Sequence, residues 1–170
     1  GGAALGLTLV LFAEPVWWGF LCGAAFCAAG AALRLWAAGL IRKSRVLERR
    51  GPYSFVRHPQ YLGNTLIAVG LCVASGHLWA TAAWPLVYAL FYGPAIRHED
   101  AKLQRRFGEA WRAWSRRTPA LFSARLPAGP LHLRQWSVRQ ALRNGEPAWQ
   151  LLLLAGLLSV VLRLPGAPGA

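Results

Sequence analysis

From His58 to Ile96 the chain carries no Lys, Arg, Asp or Glu. A soluble domain of 170 residues cannot hide such a stretch without turning apolar faces to water, whereas a bilayer core accepts it. The rest of the composition agrees: 55% of residues are hydrophobic, 15% are charged, and Trp is frequent at 9 residues. The charges gather instead at 42–57, 97–117 and 125–143, just beyond the apolar runs, and they are mostly basic. A net charge of +13 could serve nucleic acid. Basic loops flanking apolar segments are instead the pattern of cytoplasmic loops under the positive-inside rule, so no nucleic-acid partner is expected. Such loops also attract anionic lipid headgroups, and membrane lipids are expected partners.

The predicted fold class is an all-α integral membrane protein with about five transmembrane helices, in one domain covering 1–170. Segment one, Ala3–Ala13, would be a helix of only ~17 Å, so either the native chain is expected to be longer at this end or the helix to be incomplete. A signal peptide is not expected, since there is no basic leader and a second apolar segment soon follows. Segment two runs from Val16 to Ile41. Its glycines, Gly19, Gly23, Gly30 and Gly39, suit close helix contact in a membrane. Arg34 interrupts it and reads either as structural or as part of a polar pocket. Segments three, Gln60–Ser75, and four, Leu78–Ile96, form a hairpin about Gly76-His77, with a kink expected at Pro85. Arg97–Arg117 places Leu103, Phe107, Ala110, Trp111 and Trp114 at helical spacing among charges, which predicts a separate amphipathic helix at the cytoplasmic interface. A polar linker over 123–146, with a short amphipathic stretch near Leu131–Leu142, leads to a last membrane helix over 147–164. The charge pattern puts the N terminus and the basic loops inside and the C terminus outside. Cys22, Cys27 and Cys72 lie within apolar runs and show no spacing for a metal site or a disulfide framework.

The hairpin returns both its ends to one membrane face, bringing together two polar clusters. The first is Arg57-His58-Pro59-Gln60-Tyr61-Leu62-Gly63, in which Pro59 suits the first turn of a helix. The second is Arg97-His98-Glu99-Asp100, whose adjacent carboxylates can accept ribose hydroxyls or a ligand amino group. A cofactor pocket is therefore expected at the ends of the hairpin, though the residues alone do not name its ligand.

The run Gly51-Pro52-Tyr53, Val56-Arg57-His58-Pro59-Gln60-Tyr61-Leu62-Gly63 resembles the signature of the isoprenylcysteine carboxyl methyltransferase family, itself similar to the phospholipid N-methyltransferases. The second half of that signature is similar to Arg97, Glu99-Asp100, Leu103, Phe107-Gly108, Trp111, Trp114 and Pro119. The likeness covers about residues 30–122. It departs from the family pattern in Asp100, where a second glutamate is usual, and in Trp111 and Trp114, where tyrosines are usual. The resemblance implies S-adenosyl-L-methionine as cofactor, held by Tyr53, His58, Tyr61, Gly63, Glu99 and Asp100 in a pocket facing the cytoplasm. It implies methyl transfer to a carboxylate or amine of a lipophilic or lipid-linked acceptor that enters sideways from the bilayer. Arg57 or Arg97 would hold an acceptor carboxylate, and His58 or Glu99 could assist an amine. The Arg-, Ala-, Gly-, Trp- and Pro-rich composition points to a bacterial cytoplasmic membrane.

Two other readings stay open on the residues. Membrane sterol reductases share a similar arginine-histidine-proline-x-tyrosine motif and use a reduced nicotinamide cofactor. A non-catalytic membrane protein could also keep this architecture.

Overall fold

The computed structural model describes residues 13–42, 45–123 and 132–165. Those residues are helical, with no strand among them. In chain order they form α1 (Trp17–Leu40), a 3-10 turn (Gly51–Ser54), α2 (Pro59–Ala74), α3 (Trp79–Val87), a π-helical turn (Tyr88–Tyr92), α4 (Gly93–Ser115), a second 3-10 turn (Leu133–Gln135), α5 (Val138–Arg143) and α6 (Glu146–Val161). Segment one lies outside the described residues except for Ala13.

Helix α1 has 24 residues and would measure about 36 Å, enough to cross a hydrocarbon core. Among the described residues it alone is both long and apolar enough to cross by itself. Helix α6 is apolar but has 16 residues, as does α2.

Packing follows the small residues. A Cβ built on Gly30 would sit 2.6 Å from the Gly63 carbonyl oxygen, and one built on Gly63 would sit 2.8 Å from the Gly30 carbonyl oxygen. Only a pair of glycines lets α1 and α2 approach this closely. Large apolar side chains point the other way. Trp18, Leu21 and Phe26 of α1, Trp79 and Leu86 of α3, and Leu151 and Leu154 of α6 are exposed. Glycines inside and Leu and Trp outside is the arrangement expected when lipid, rather than water, surrounds a bundle.

The hairpin turns at Ser75-Gly76, where Gly76 takes φ +80° and the Ser75 carbonyl accepts the Glu14 amide at 3.0 Å. The chain beyond it differs from the sequence expectation. Rather than a membrane helix and a separate interfacial helix, α3, the π turn and α4 run on without a break from Trp79. Pro85 and Pro94 lack the amides that an α-helix needs. The turn between them widens by one residue, so that the Gly93 amide donates to the Tyr88 carbonyl five residues back, and the helix continues. The backbone leaves helical geometry only at Gly108, at φ 52°.

Helix α6 runs antiparallel to α1. Glu146, Gln150 and Pro165 meet Arg34, Ala31 and Trp17 in turn. The first of these contacts is a buried ion pair, Arg34 Nη2 to Glu146 Oε1 at 2.7 Å, with side chains 7% and 1% exposed. Arg34 also donates to Asn64 of α2 and lies over the Trp149 ring. Arg34 thus takes the structural role, joining α1, α2 and α6. Removing one partner of such a pair leaves a buried charge uncompensated. Glu146→Ala is expected to cost about 3–5 kcal/mol in denaturant unfolding in mixed micelles, and Arg34→Leu/Glu146→Leu to recover most of it.

Candidate functional site

His58 precedes α2, whose first residue is Pro59, a residue that needs no amide partner there. The Arg57 and His58 amides donate to the carbonyls of Pro119 and Ala120 at 2.8 and 3.0 Å. The segment after α4 is thereby strapped to the start of α2. Arg57 reinforces the strap. Its Nη1 donates to the Ser115 and Thr118 carbonyls at 3.2 and 2.7 Å, and its guanidinium lies 5.8 Å from the centre of the Trp111 ring. A cation on the last carbonyls of a helix is electrostatically favoured.

Asp100 joins both polar clusters. Its Oδ2 accepts from Arg57 Nη2 at 2.8 Å, and its Oδ1 lies 2.9 Å from His58 Nε2. A carboxylate only accepts, so this contact fixes the hydrogen on Nε2. The other ring nitrogen, Nδ1, faces Glu99 Oε2 at 3.7 Å, beyond hydrogen-bonding distance. Burial by itself would raise the Asp100 carboxyl, and the hydrogen bonds from His58 and Arg57 outweigh it, holding the group below the usual carboxylate range. Glu48 behaves alike. Burial opposes ionisation, and Arg50 overcomes it through a side-chain bond at 2.7 Å and its backbone amide at 3.1 Å. Burial also pushes the Tyr53 phenol well above its ordinary value, with nearby Glu99 adding to the effect, so Tyr53 stays protonated.

These residues surround a cavity of about 410 Å³ between the loop before α2 and the start of α4. That volume falls in the range of small-molecule sites. Tyr53, Arg57, His58, Tyr61 and Glu99 line it together, although the 3-10 turn, the segment before α2, α2 itself and α4 carry them. Asp100 sits behind His58 and Arg57. Gly63 stands away from the cavity, against Gly30 and Arg34 in the helix contact. Arg97 is exposed and does not line the cavity. The guanidinium of Arg57 is spent on Ser115, Thr118 and Asp100. Two polar lining residues were not read from the sequence as part of the site. Glu48 was legible as the one acid in an otherwise basic loop, and Trp114 had been assigned to the interface.

The donor set fits the cofactor implied by the sequence. The Trp114 indole N–H is buried with no partner among the described residues, which suits a carboxylate or hydroxyl acceptor. Glu99 is half-exposed and, having no close hydrogen bond to His58, can accept from ribose hydroxyls or an amino group. Glu48 is already paired with Arg50, which leaves Glu99 as the cavity's acceptor for a positively charged ligand group, with Lys102 on the same wall for a carboxylate.

Comparison with known proteins gives the class. Residues 19–105 match the isoprenylcysteine carboxyl methyltransferase (ICMT) family, and the chain belongs to that family. Among its relatives are the cobalt-zinc-cadmium resistance protein CzcN of Cupriavidus metallidurans, 44% identical over 68% of this chain and 47% of the relative, and the nickel-cobalt-cadmium resistance protein NccN of Alcaligenes xylosoxydans xylosoxydans, 44% identical over 52% and 42%. The protein-S-isoprenylcysteine O-methyltransferase of Schizosaccharomyces pombe is 30% identical over 60% of this chain and 46% of the relative. The chain therefore spans about half the length of the curated relatives it matches. No solved structure matches it significantly.

The Asp100 cluster makes a pH prediction. A group whose folded pKa is depressed stabilises the fold fully above its unfolded value, about 3.9, and loses that contribution as pH falls through the folded value. Melting in detergent should therefore drop steeply below about pH 4. Asp100→Asn should melt lower than the parent at neutral pH and lose less on acidification.

Proposed function

We propose that the chain is the S-adenosyl-L-methionine-dependent core of an integral membrane methyltransferase, acting on a carboxylate, or an amine, of a lipophilic or lipid-linked acceptor. In this reading residues 1–170 form one membrane-embedded domain of about five spans in a bacterial cytoplasmic membrane, and the cavity opens to the cytoplasm. The observation that carries the proposal is the convergence of Tyr53, His58, Tyr61 and Glu99 on one cavity in a chain of the carboxyl methyltransferase family. Family membership favours methyl transfer over nicotinamide-dependent reduction.

When bound, the cofactor supplies a sulfonium-activated methyl group, which passes to the acceptor while the electrons of the broken C–S bond stay on sulfur. The chain's own work is alignment and exclusion of water. Glu99 and the Trp114 N–H offer an acceptor and a donor for the polar ends of the cofactor, and Tyr61 walls its membrane side. His58 is held in one tautomer by Asp100, so its Nδ1 edge stays turned to Glu99. A carboxylate acceptor needs no base, because it is already ionised at neutral pH. Arg57 keeps the cavity wall in place by holding the end of α4. Arg97, exposed at the same end of the hairpin, is the arginine with a guanidinium free of the strap and can meet an acceptor carboxylate at the interface.

The test is calorimetric titration of the purified chain in detergent with S-adenosylhomocysteine and, separately, with reduced nicotinamide adenine dinucleotide phosphate. Micromolar binding of the first alone is expected, weakened at least tenfold by Glu99→Ala and by His58→Ala in variants that melt like the parent. Binding of the nicotinamide cofactor alone would overturn methyl transfer. Binding of neither would make this a non-catalytic member of the family.

A further inference from the structure

A second cavity, about 570 Å³, opens where α1 ends. Four arginines line it. Arg42 and Arg45 come from the turn after α1, folded together by the Arg45 amide donating to the Arg42 carbonyl at 3.0 Å. Arg139 and Arg143 come from α5, four residues apart and hence on one face. All four are exposed, and no carboxylate comes within ion-pairing distance of any of them among the described residues. The negative end of α1, which could have offset this charge, is occupied by the chain itself. The Ser137 amide donates to the Gly39 carbonyl at 3.0 Å, and Asn144 Nδ2 donates to the Ala38 and Ile41 carbonyls at 2.8 and 3.2 Å. What remains is a concave, uncompensated tetra-cationic wall with the neutral polar groups of Ser137 and Gln140 at its floor.

We infer that this groove binds the phosphate of an anionic glycerophospholipid in the leaflet on the cytoplasmic side. Four guanidiniums from separate segments repel one another unless an anion sits among them, and guanidinium forks match phosphate oxygens. The location selects a lipid over a soluble anion. Gly39 and Leu40, the last residues of the helix long enough to span, form part of the wall. Exposed Val46 lines the groove, and Val138 and Leu142 stand exposed on α5, at the level where acyl chains begin. Val46 also lines the first cavity, as does Ile41, which lies between Leu40 and Arg42 of the groove, so the bound headgroup would sit next to the proposed cofactor site. The inference rests on α1 lying in a membrane and not on methyl transfer.

The test uses the full chain in a neutral detergent, with bound lipid counted by native mass spectrometry and stabilisation read as the shift in melting temperature. The probes are dilauroylphosphatidylglycerol, dilauroylphosphatidylcholine, glycerol 1-phosphate and inorganic phosphate. Phosphatidylglycerol should bind and stabilise, at least tenfold more tightly than phosphatidylcholine or either soluble phosphate. Arg139→Gln/Arg143→Gln and Arg42→Gln/Arg45→Gln should each weaken it at least tenfold. Arg105→Gln/Arg106→Gln, which removes the same charge from exposed positions on α4, should leave it unchanged. Melting of each variant without lipid checks its fold, and two independent pairs keep the test decisive if one fails to fold. Equal binding of the two lipids, equal binding of a soluble phosphate, or an equal loss in the α4 variant would each overturn the inference. Because no step uses S-adenosylhomocysteine, a failed methyltransferase reading leaves this result standing.

Discussion

Asp100 is the hinge on which the site depends. One half-buried carboxylate accepts from Arg57 with one oxygen and meets His58 with the other. Through Arg57 it reaches the carbonyls of Ser115, the last residue of α4, and of Thr118 just beyond it, and through His58 it fixes a ring at the mouth of α2. The cavity exists because these two ends are pinned, with the backbone of Arg57 and His58 bonded to the chain beyond α4. Charged pairs in such a place are costly to assemble, and the bonds from Arg57 and His58 to Asp100 and from Arg57 to the Ser115 and Thr118 carbonyls offset that cost.

Much of the fold was legible because hydrophobic spacing and charge exclusion are local signals. Helices α1 and α2 fall within a residue or two of the segments read from the sequence. The turn at Gly76 follows from a glycine between two apolar runs. The continuity of α3 into α4 was not legible. A change from apolar to amphipathic pattern reads as a boundary, yet a helix crossing from lipid to water changes its pattern without changing its backbone. Pro85, where a kink was expected, and Pro94 are accommodated by a π turn, which has no composition of its own.

The site divides along the same line. Motif spacing brought Tyr53, His58, Tyr61 and Glu99 together in thought, and they line one cavity. Their division of labour needed three dimensions. Gly63 belongs to the Gly30 contact, and the guanidinium of Arg57 is consumed by structure. The Arg34–Glu146 pair joins residues 112 positions apart, a distance that no local pattern spans. Glu48 draws three bonds from Arg50 and one from the Arg49 amide, so the basic loop before the site contains its own neutralising centre.

The π turn also sets helical phase. Each residue added to or taken from an α-helix rotates everything beyond it by about 100°. By looping out one extra residue, Tyr88–Tyr92 offsets the face that α3 presents within the bundle from the face that α4 presents to the cavity. Regularising that turn would swing Glu99 and Asp100 around the axis, away from His58, with no change in either carboxylate. The apolar half and the cavity-lining half of one rod are thus keyed to each other by a single surplus backbone step, and the length of the apolar segment determines where the acids point.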